Sequence, residues 1–292
     1  MMKIPSQLQG LTEKTETIGT VSVEQLLGEP GGVQAAYRRH CLTYIPLGDV
    51  SDLQNRLLDA IAKGGTPKGM ITAPWGYGKT ATALSLWFGA EEAKYFAVPP
   101  FIAESLFDIL RATYAWGRYV LAGSSHLAAQ LEEAYKKRVQ NTVASVAENT
   151  AREVGMSATA AEAMLEFLVR ERGFRPELTA NDLFDFLRDV AGLAQQAGFK
   201  GMVLFPDELQ QYLDSGQGNL KNAIQELRSL VWRFDSQPQT PIGIGIMFSA
   251  PDTTEQSLTE YGNDILDRLK RERLYLNLRT IYDAEFPARA NA

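Results

Sequence analysis

The chain has 292 residues, 45% apolar and 22% charged, and its 29 Lys and Arg against 35 Asp and Glu leave a formal net charge of −6. Those are ordinary globular values for one large α/β domain or two small ones, and they exclude disorder, collagen and coiled-coil rods. A single cysteine, Cys41, excludes a disulfide scaffold and a four-cysteine zinc site; two histidines, His40 and His126, argue against a histidine-rich metal centre, and the acidic balance gives no global footprint for nucleic acid.

The first residues, Met1-Met2-Lys3-Ile4-Pro5-Ser6, have no apolar run behind their one lysine, unlike a signal peptide. No apolar stretch reaches the length of a membrane span, so the expected location is cytoplasmic, with no membrane partner. Residues 1–40 read as a poorly packed leader, rich in Gly, Thr, Glu and Gln up to Glu29-Pro30-Gly31-Gly32. Residues 41–100 read as the first part of an α/β core. Leu53, Leu57, Leu58 and Ile61 share one helical face, with Ser51 or Asp52 as N-cap and Gly64-Gly65 as the stop. Lys68 to Ala73 is a strand candidate running into a glycine-rich turn, and Ala81 to Phe88 is a helix. Lys94 to Val98 is a second strand candidate, expected to stop at Pro99-Pro100.

Residues 101–197 show no strand signal and read as a helical insert. Its helices are expected near Ala103–Leu121, His126–Thr150, Ala158–Arg172 and Thr179–Gln196, the last starting at a capping Thr179. Residues 198–292 return to the core, with strands at Gly201–Phe205, Pro241–Phe248 and Arg273–Leu278. Helices at Leu220–Phe234 and Thr253–Arg271 separate them. The expected fold is α/β and three-layered: a parallel five-stranded sheet, with an all-helical insert between the second strand and the Asp-Glu strand.

Two motifs carry chemistry. The first is Ala73-Pro74-Trp75-Gly76-Tyr77-Gly78-Lys79-Thr80, a phosphate-binding loop pattern with Ala in place of the first Gly. Gly76 and Gly78 let consecutive backbone N–H groups face a phosphate, Lys79 reaches the β- and γ-phosphates, and Thr80 offers its hydroxyl to Mg2+ at a helix N-terminus. Nucleotide binding is therefore expected at Pro74, Trp75, Gly76, Tyr77, Gly78, Lys79, Thr80 and Ala81. The second motif is Met202-Val203-Leu204-Phe205-Pro206-Asp207-Glu208, an apolar strand presenting two carboxylates at its end. Asp207 is expected to hold the metal with Thr80, and Glu208 to polarise the attacking water. Pro206 interrupts the usual apolar-to-Asp junction and leaves open which carboxylate lines the site.

With a further strand between the motifs, this sequence resembles the additional-strand P-loop ATPases, AAA+ and STAND-like. Within them it is similar to the ATPase of BREX phage-defence systems, the BrxC/PglY type. The residues carrying the likeness are Pro74 to Thr80 and Asp207-Glu208-Leu209-Gln210-Gln211-Tyr212. Such proteins are usually longer; this chain runs just past its fifth strand without a helical lid, as a truncated piece or stand-alone relative would. The resemblance implies that Ser249, at a strand end, contacts the γ-phosphate or water. It also implies that Arg268, or failing it Arg271, acts as an arginine finger toward a neighbour. Ile45 to Val50 lies where relatives wrap the adenine.

The expected function is Mg2+-dependent ATP binding and hydrolysis, as a motor or switch in a phage-defence or DNA-transaction complex. A nucleotide-gated scaffold with negligible turnover is the alternative, and a small-molecule kinase fits less well. Expected partners are further copies of the chain or other defence-system subunits. DNA is a weaker candidate, with Lys136-Lys137-Arg138 the local basic run and an exposed helix face its simpler reading.

Overall fold

Continuous apolar runs must be covered on both sides, and four of the five strands are buried on both faces of one parallel sheet. The computed structural model describes residues 19–42, 48–172, 178–215, 220–236, 242–271 and 273–281. Its strands are β1 (Lys68–Thr72), β2 (Phe96–Ile102), β3 (Met202–Asp207), β4 (Ile244–Ala250) and β5 (Tyr275–Asn277), in the order β2-β3-β4-β1-β5. Every pairing is parallel. Thr72 stands beside Ala250, and Ile71 beside Ser249, so the segments after β1 and β4 leave the sheet at one edge. Asp207 ends β3 at the same edge.

The N-terminal helices are α1 (Val23–Gly28), α2 (Pro30–Cys41) and α3 (Gly48–Ala62). Then α4 (Lys79–Glu92) follows β1 and packs on β1 to β4. A second group, α5 (Leu106–Val120), α8 (Ala180–Gln196), α10 (Leu220–Ser236) and α12 (Asn263–Arg271), completes the three layers. Between α5 and α8 run α6 (Ser125–Val154) and α7 (Ala158–Arg172). Two shorter helices, α9 (Leu209–Ser215) and α11 (Asp252–Tyr261), follow β3 and β4.

Four differences from the sequence reading have physical causes. Residues 20–41 are part of the core rather than a loose leader; residues 1–18 lie outside the described residues. Ser22 and Gln25 form a capping box that starts α1, and Pro30 sits in the first turn of α2, where a missing N–H costs nothing. Tyr37 of α2 packs edge-on against Trp87, whose ring in turn meets Trp116, and Trp87 Nε1 donates to Ala97 O at 3.0 Å. Truncating a buried ring of this size typically costs ~3–5 kcal/mol, so α2 belongs to the stable fold.

Strand β2 runs through Pro99-Pro100 instead of stopping there. It is an edge strand, and its register against β3 shifts between Val98 and Phe101, where a lost N–H is tolerated. The insert is narrower than residues 101–197 suggest. Helices α5 and α8 bury Phe107, Trp116, Phe184 and Phe186 in the main core. The α6–α7 pair instead carries its own small cluster, Val143, Ala147, Ala161 and Leu165. Finally, the mostly helical stretch expected over Thr253–Arg271 is two helices, divided at Gly262, the C-cap of α11. No helix among the described residues is long and apolar enough to cross a membrane.

Candidate functional site

The loop after β1 folds as its glycines require. Gly76 and Gly78 have φ of 84° and 80°, a left-handed conformation that favours glycine, and Gly78 caps α4 without any side-chain bond. The first N–H groups of α4 are thus left facing the loop, as an anion site needs. Lys79 is 5% exposed, and its Nζ donates to Ala73 O and Pro74 O, each at 3.2 Å. Those acceptors are neutral carbonyls of its own loop. Burial lowers the Lys79 pKa, opposed by the charges of Glu208, Asp207 and Asp252. Trp75 is 66% exposed, with the Lys79 ammonium 5.0 Å from its ring centre. Tyr77 and Ala81 are partly buried on either side of the turn.

Asp207, 1% exposed, meets the loop directly: Thr80 Oγ1 donates to its Oδ2 at 2.8 Å. Pro206 does not disturb this. The β3–β4 ladder ends at Leu204 and Ile246, so the proline falls beyond the last pair on that side. Asp207 Oδ1 accepts the Glu208 N–H at 2.9 Å, and Glu208 turns to a φ of 55°. A side chain in that conformation costs about 1–3 kcal/mol and is held only where the surroundings impose it. Glu208 Oε2 is buried and has no hydrogen-bond partner among the described residues, and the same holds for Ser249 Oγ, beside β1 in the sheet. Burial first, and Asp207 second, push the Glu208 carboxyl above its ordinary 4.5, against the pull of Lys79. Glu208 Oε2 and Ser249 Oγ both lie at the carboxyl edge of the parallel sheet.

The raised pKa makes a stability prediction. A carboxyl whose folded pKa lies above its unfolded value favours the fold while protonated and loses that contribution as pH rises through the folded pKa. Glu208→Gln should therefore melt a few degrees higher than wild type at neutral pH, with the gap closing as pH falls toward 4.5. Thermal scans across that range check it; a constant gap would assign the effect to something other than the charge.

Arg268 is not gathered into this cluster. It bonds Asp235, which also pairs with Lys68 at the first residue of β1, the opposite sheet edge from the phosphate loop. Its guanidinium lies 5.0 Å from the Trp232 ring centre, while Arg271 is exposed at the end of α12. The basic run at 136–138 is largely balanced: Arg138 pairs with Asp189 at 3.2 Å and Lys136 with Glu132 at 3.4 Å. Of the segment considered for adenine, residues 45–47 lie outside the described residues.

Two site residues were missed in the sequence. Asp252 opens α11, close enough for its charge to act on Lys79. Thr20 reaches the Thr80–Asp207 pair: its Oγ1 donates to Asp207 Oδ2 and lies 3.4 Å from Thr80 Oγ1. The Ser22–Gln25 capping pattern was the available signal that a helix, and hence an ordered approach, begins there.

No protein-family model and no curated protein matches the chain. Among solved structures it is similar to the Aeropyrum pernix ORC2 protein, determined as ADPNP-ADP complexes, with 13% identity and a TM-score of 0.40. The match covers 87% of this chain and 50% of that one, so the chain spans about half the length of that structure. What the site can hold is set by its own residues. It joins a buried ammonium bonded to two loop carbonyls, a hydroxyl–carboxylate pair of hard oxygens, and the buried Glu208 Oε2 and Ser249 Oγ, without a hydrogen-bond partner among the described residues.

Proposed function

We propose that the chain is a Mg2+-dependent ATP-binding and ATP-hydrolysing domain. The observation carrying this reading is the 2.8 Å bond from Thr80 to Asp207, residues 127 apart in sequence. It joins the two motifs that such chemistry requires. Thr80 and Asp207 are hard oxygens suited to Mg2+, which shares its remaining positions with phosphate oxygens and water. The metal would supply charge stabilisation on the phosphates. Lys79 exchanges its neutral carbonyl acceptors for phosphate oxygens, a stronger charge-assisted bond. The α4 N-terminus holds the phosphate chain. Glu208, its pKa raised, accepts the proton of the attacking water, and Ser249 orients that water or the γ-phosphate.

The wider setting proposed is a bacterial phage-defence or DNA-transaction complex of the BREX ATPase type, in the cytoplasm. There the domain works as a motor or switch with further copies of itself or other subunits. The cis pairing of Arg268 with Asp235 favours the alternative of a slow, nucleotide-gated scaffold in the isolated chain, because no arginine of α12 reaches this chain's own loop. A positive charge lent between copies would lift that rate. Arg271 is exposed for that role, whereas Arg268 must first leave Asp235.

Steady-state phosphate release from Mg-ATP, with and without DNA and over a range of protein concentrations, tests both levels. Activity per subunit is expected to rise with concentration. Arg271→Ala should flatten that rise most, Arg268→Ala less, with ATP binding spared in both. Absence of any release above a Lys79→Ala control overturns hydrolysis. A specific activity independent of concentration overturns the shared site.

A further inference from the structure

The two motifs account for Thr80, Asp207, Lys79 and Glu208, but not for a second hydroxyl at the same carboxylate. Thr20 lies 187 positions before Asp207 and still donates to Asp207 Oδ2, the oxygen that already accepts Thr80 Oγ1. The Thr20 and Thr80 hydroxyl oxygens are 3.4 Å apart. Three oxygens, from the N-terminal segment, the loop helix and the end of β3, therefore face one point.

Neighbouring bonds hold Thr20 there. Val21 forms a parallel bridge with Phe101 at the carboxyl end of β2, and its carbonyl accepts the Ile102 N–H at 2.9 Å. The Val21 N–H donates to Tyr37 Oη at 3.0 Å, and that buried hydroxyl donates in turn to Pro100 O at 3.2 Å. Ser22 then opens the capping box of α1. The two residues that follow Thr20 are thus bonded to sheet and helix, so the position of Thr20 is set by the fold.

We propose that Thr20 supplies a third protein oxygen to the divalent-cation site, alongside Thr80 and Asp207. The inference rests on the Mg-ATP reading above. Two hydroxyl protons converging on one carboxylate oxygen occupy the electrostatic place of a cation. Each hydroxyl keeps lone pairs that rotate onto a metal ion or its bound water once the ion takes the protons' place. Mg2+ requires a nearly ideal octahedron of oxygens, so one fixed hydroxyl more contributes to affinity and geometry. As a positioning residue Thr20 also ties the cation to the N-terminal segment.

The test reads metal affinity rather than turnover. Mn2+ binding to the full chain with a non-hydrolysable ATP analogue is followed by electron paramagnetic resonance, and metal-free nucleotide affinity is measured in chelator. Thr20→Val, which keeps the shape and removes the hydroxyl, should weaken Mn2+ by ~10-fold while leaving metal-free nucleotide affinity unchanged. Thr20→Ser should restore Mn2+ affinity to near wild type. Unchanged Mn2+ affinity in Thr20→Val overturns the proposal. Tighter Mn2+ binding overturns it too, since the hydroxyl would then compete with the ion. Loss of metal-free nucleotide affinity in Thr20→Val does so as well, by assigning Thr20 to the fold of the loop. If wild type and Lys79→Ala bind the analogue equally, the Mg-ATP reading itself fails, separately from the role of Thr20.

Discussion

Lys79→Ala is expected to weaken ATP binding by ~100-fold or more, about 2.7 kcal/mol, in calorimetric titration with Mg-ATP. The size follows from what the ammonium does. It is the one charged group of the loop, and its bonds run to the Ala73 and Pro74 carbonyls, neutral acceptors that phosphate oxygens can displace. Charge-assisted bonds to phosphate are about twice as strong as neutral ones, and the site excludes water around a lysine only 5% exposed. Its lowered pKa does not leave it neutral in the complex, because phosphate oxygens add to the carboxylates that already pull the proton back. Binding within a few-fold of wild type would remove the phosphate-loop reading, whatever the fold.

Glu208→Gln should lose ~10²–10⁴-fold in turnover while retaining ATP affinity, measured as phosphate release against analogue binding. The amide keeps the shape of the side chain at its left-handed backbone position but cannot take a proton from water. Glu208 has the features of a base: a raised pKa and a buried oxygen with no partner among the described residues. Asp207→Asn should behave differently, weakening Mg2+ dependence first, because Asp207 is the acceptor of Thr80. The reverse pattern, with Asp207→Asn sparing the metal and Glu208→Gln sparing turnover, would exchange the two roles across Pro206.

Both motifs were legible in the sequence because their chemistry is local. Glycines at 76 and 78 can be read without knowing what lies nearby, and an apolar run ending in Asp207-Glu208 announces a buried strand with a charged tip. The insert helices were legible for a similar reason: Thr179 and the glycines punctuate strongly periodic segments. The losses came where composition imitates a loop. Glu29-Pro30-Gly31-Gly32 looks like a turn, yet Pro30 and both glycines lie inside α2, held by the packing of Val33 and Tyr37. Pro99-Pro100 looks like a stop, yet only a central strand forbids it. The contact of Thr20 with Asp207 could not be read, since the capping pattern beside it announces a helix and nothing there refers to Asp207.

The position of those two prolines also bears on how copies of the chain can meet. An open sheet margin invites another chain to add a strand, the usual route to fibrils and runaway association. Here β2 forms one margin; Pro99 and Pro100 in it lack backbone donors, and Val21 covers its far end. The opposite margin, β5, is only three residues long. Among the described residues, neither border offers a long uninterrupted row of backbone groups to template a neighbour. If copies of the chain do assemble, the described residues offer helix and loop surfaces for it, whose side chains choose their partner, and such an assembly would come apart without unzipping a sheet.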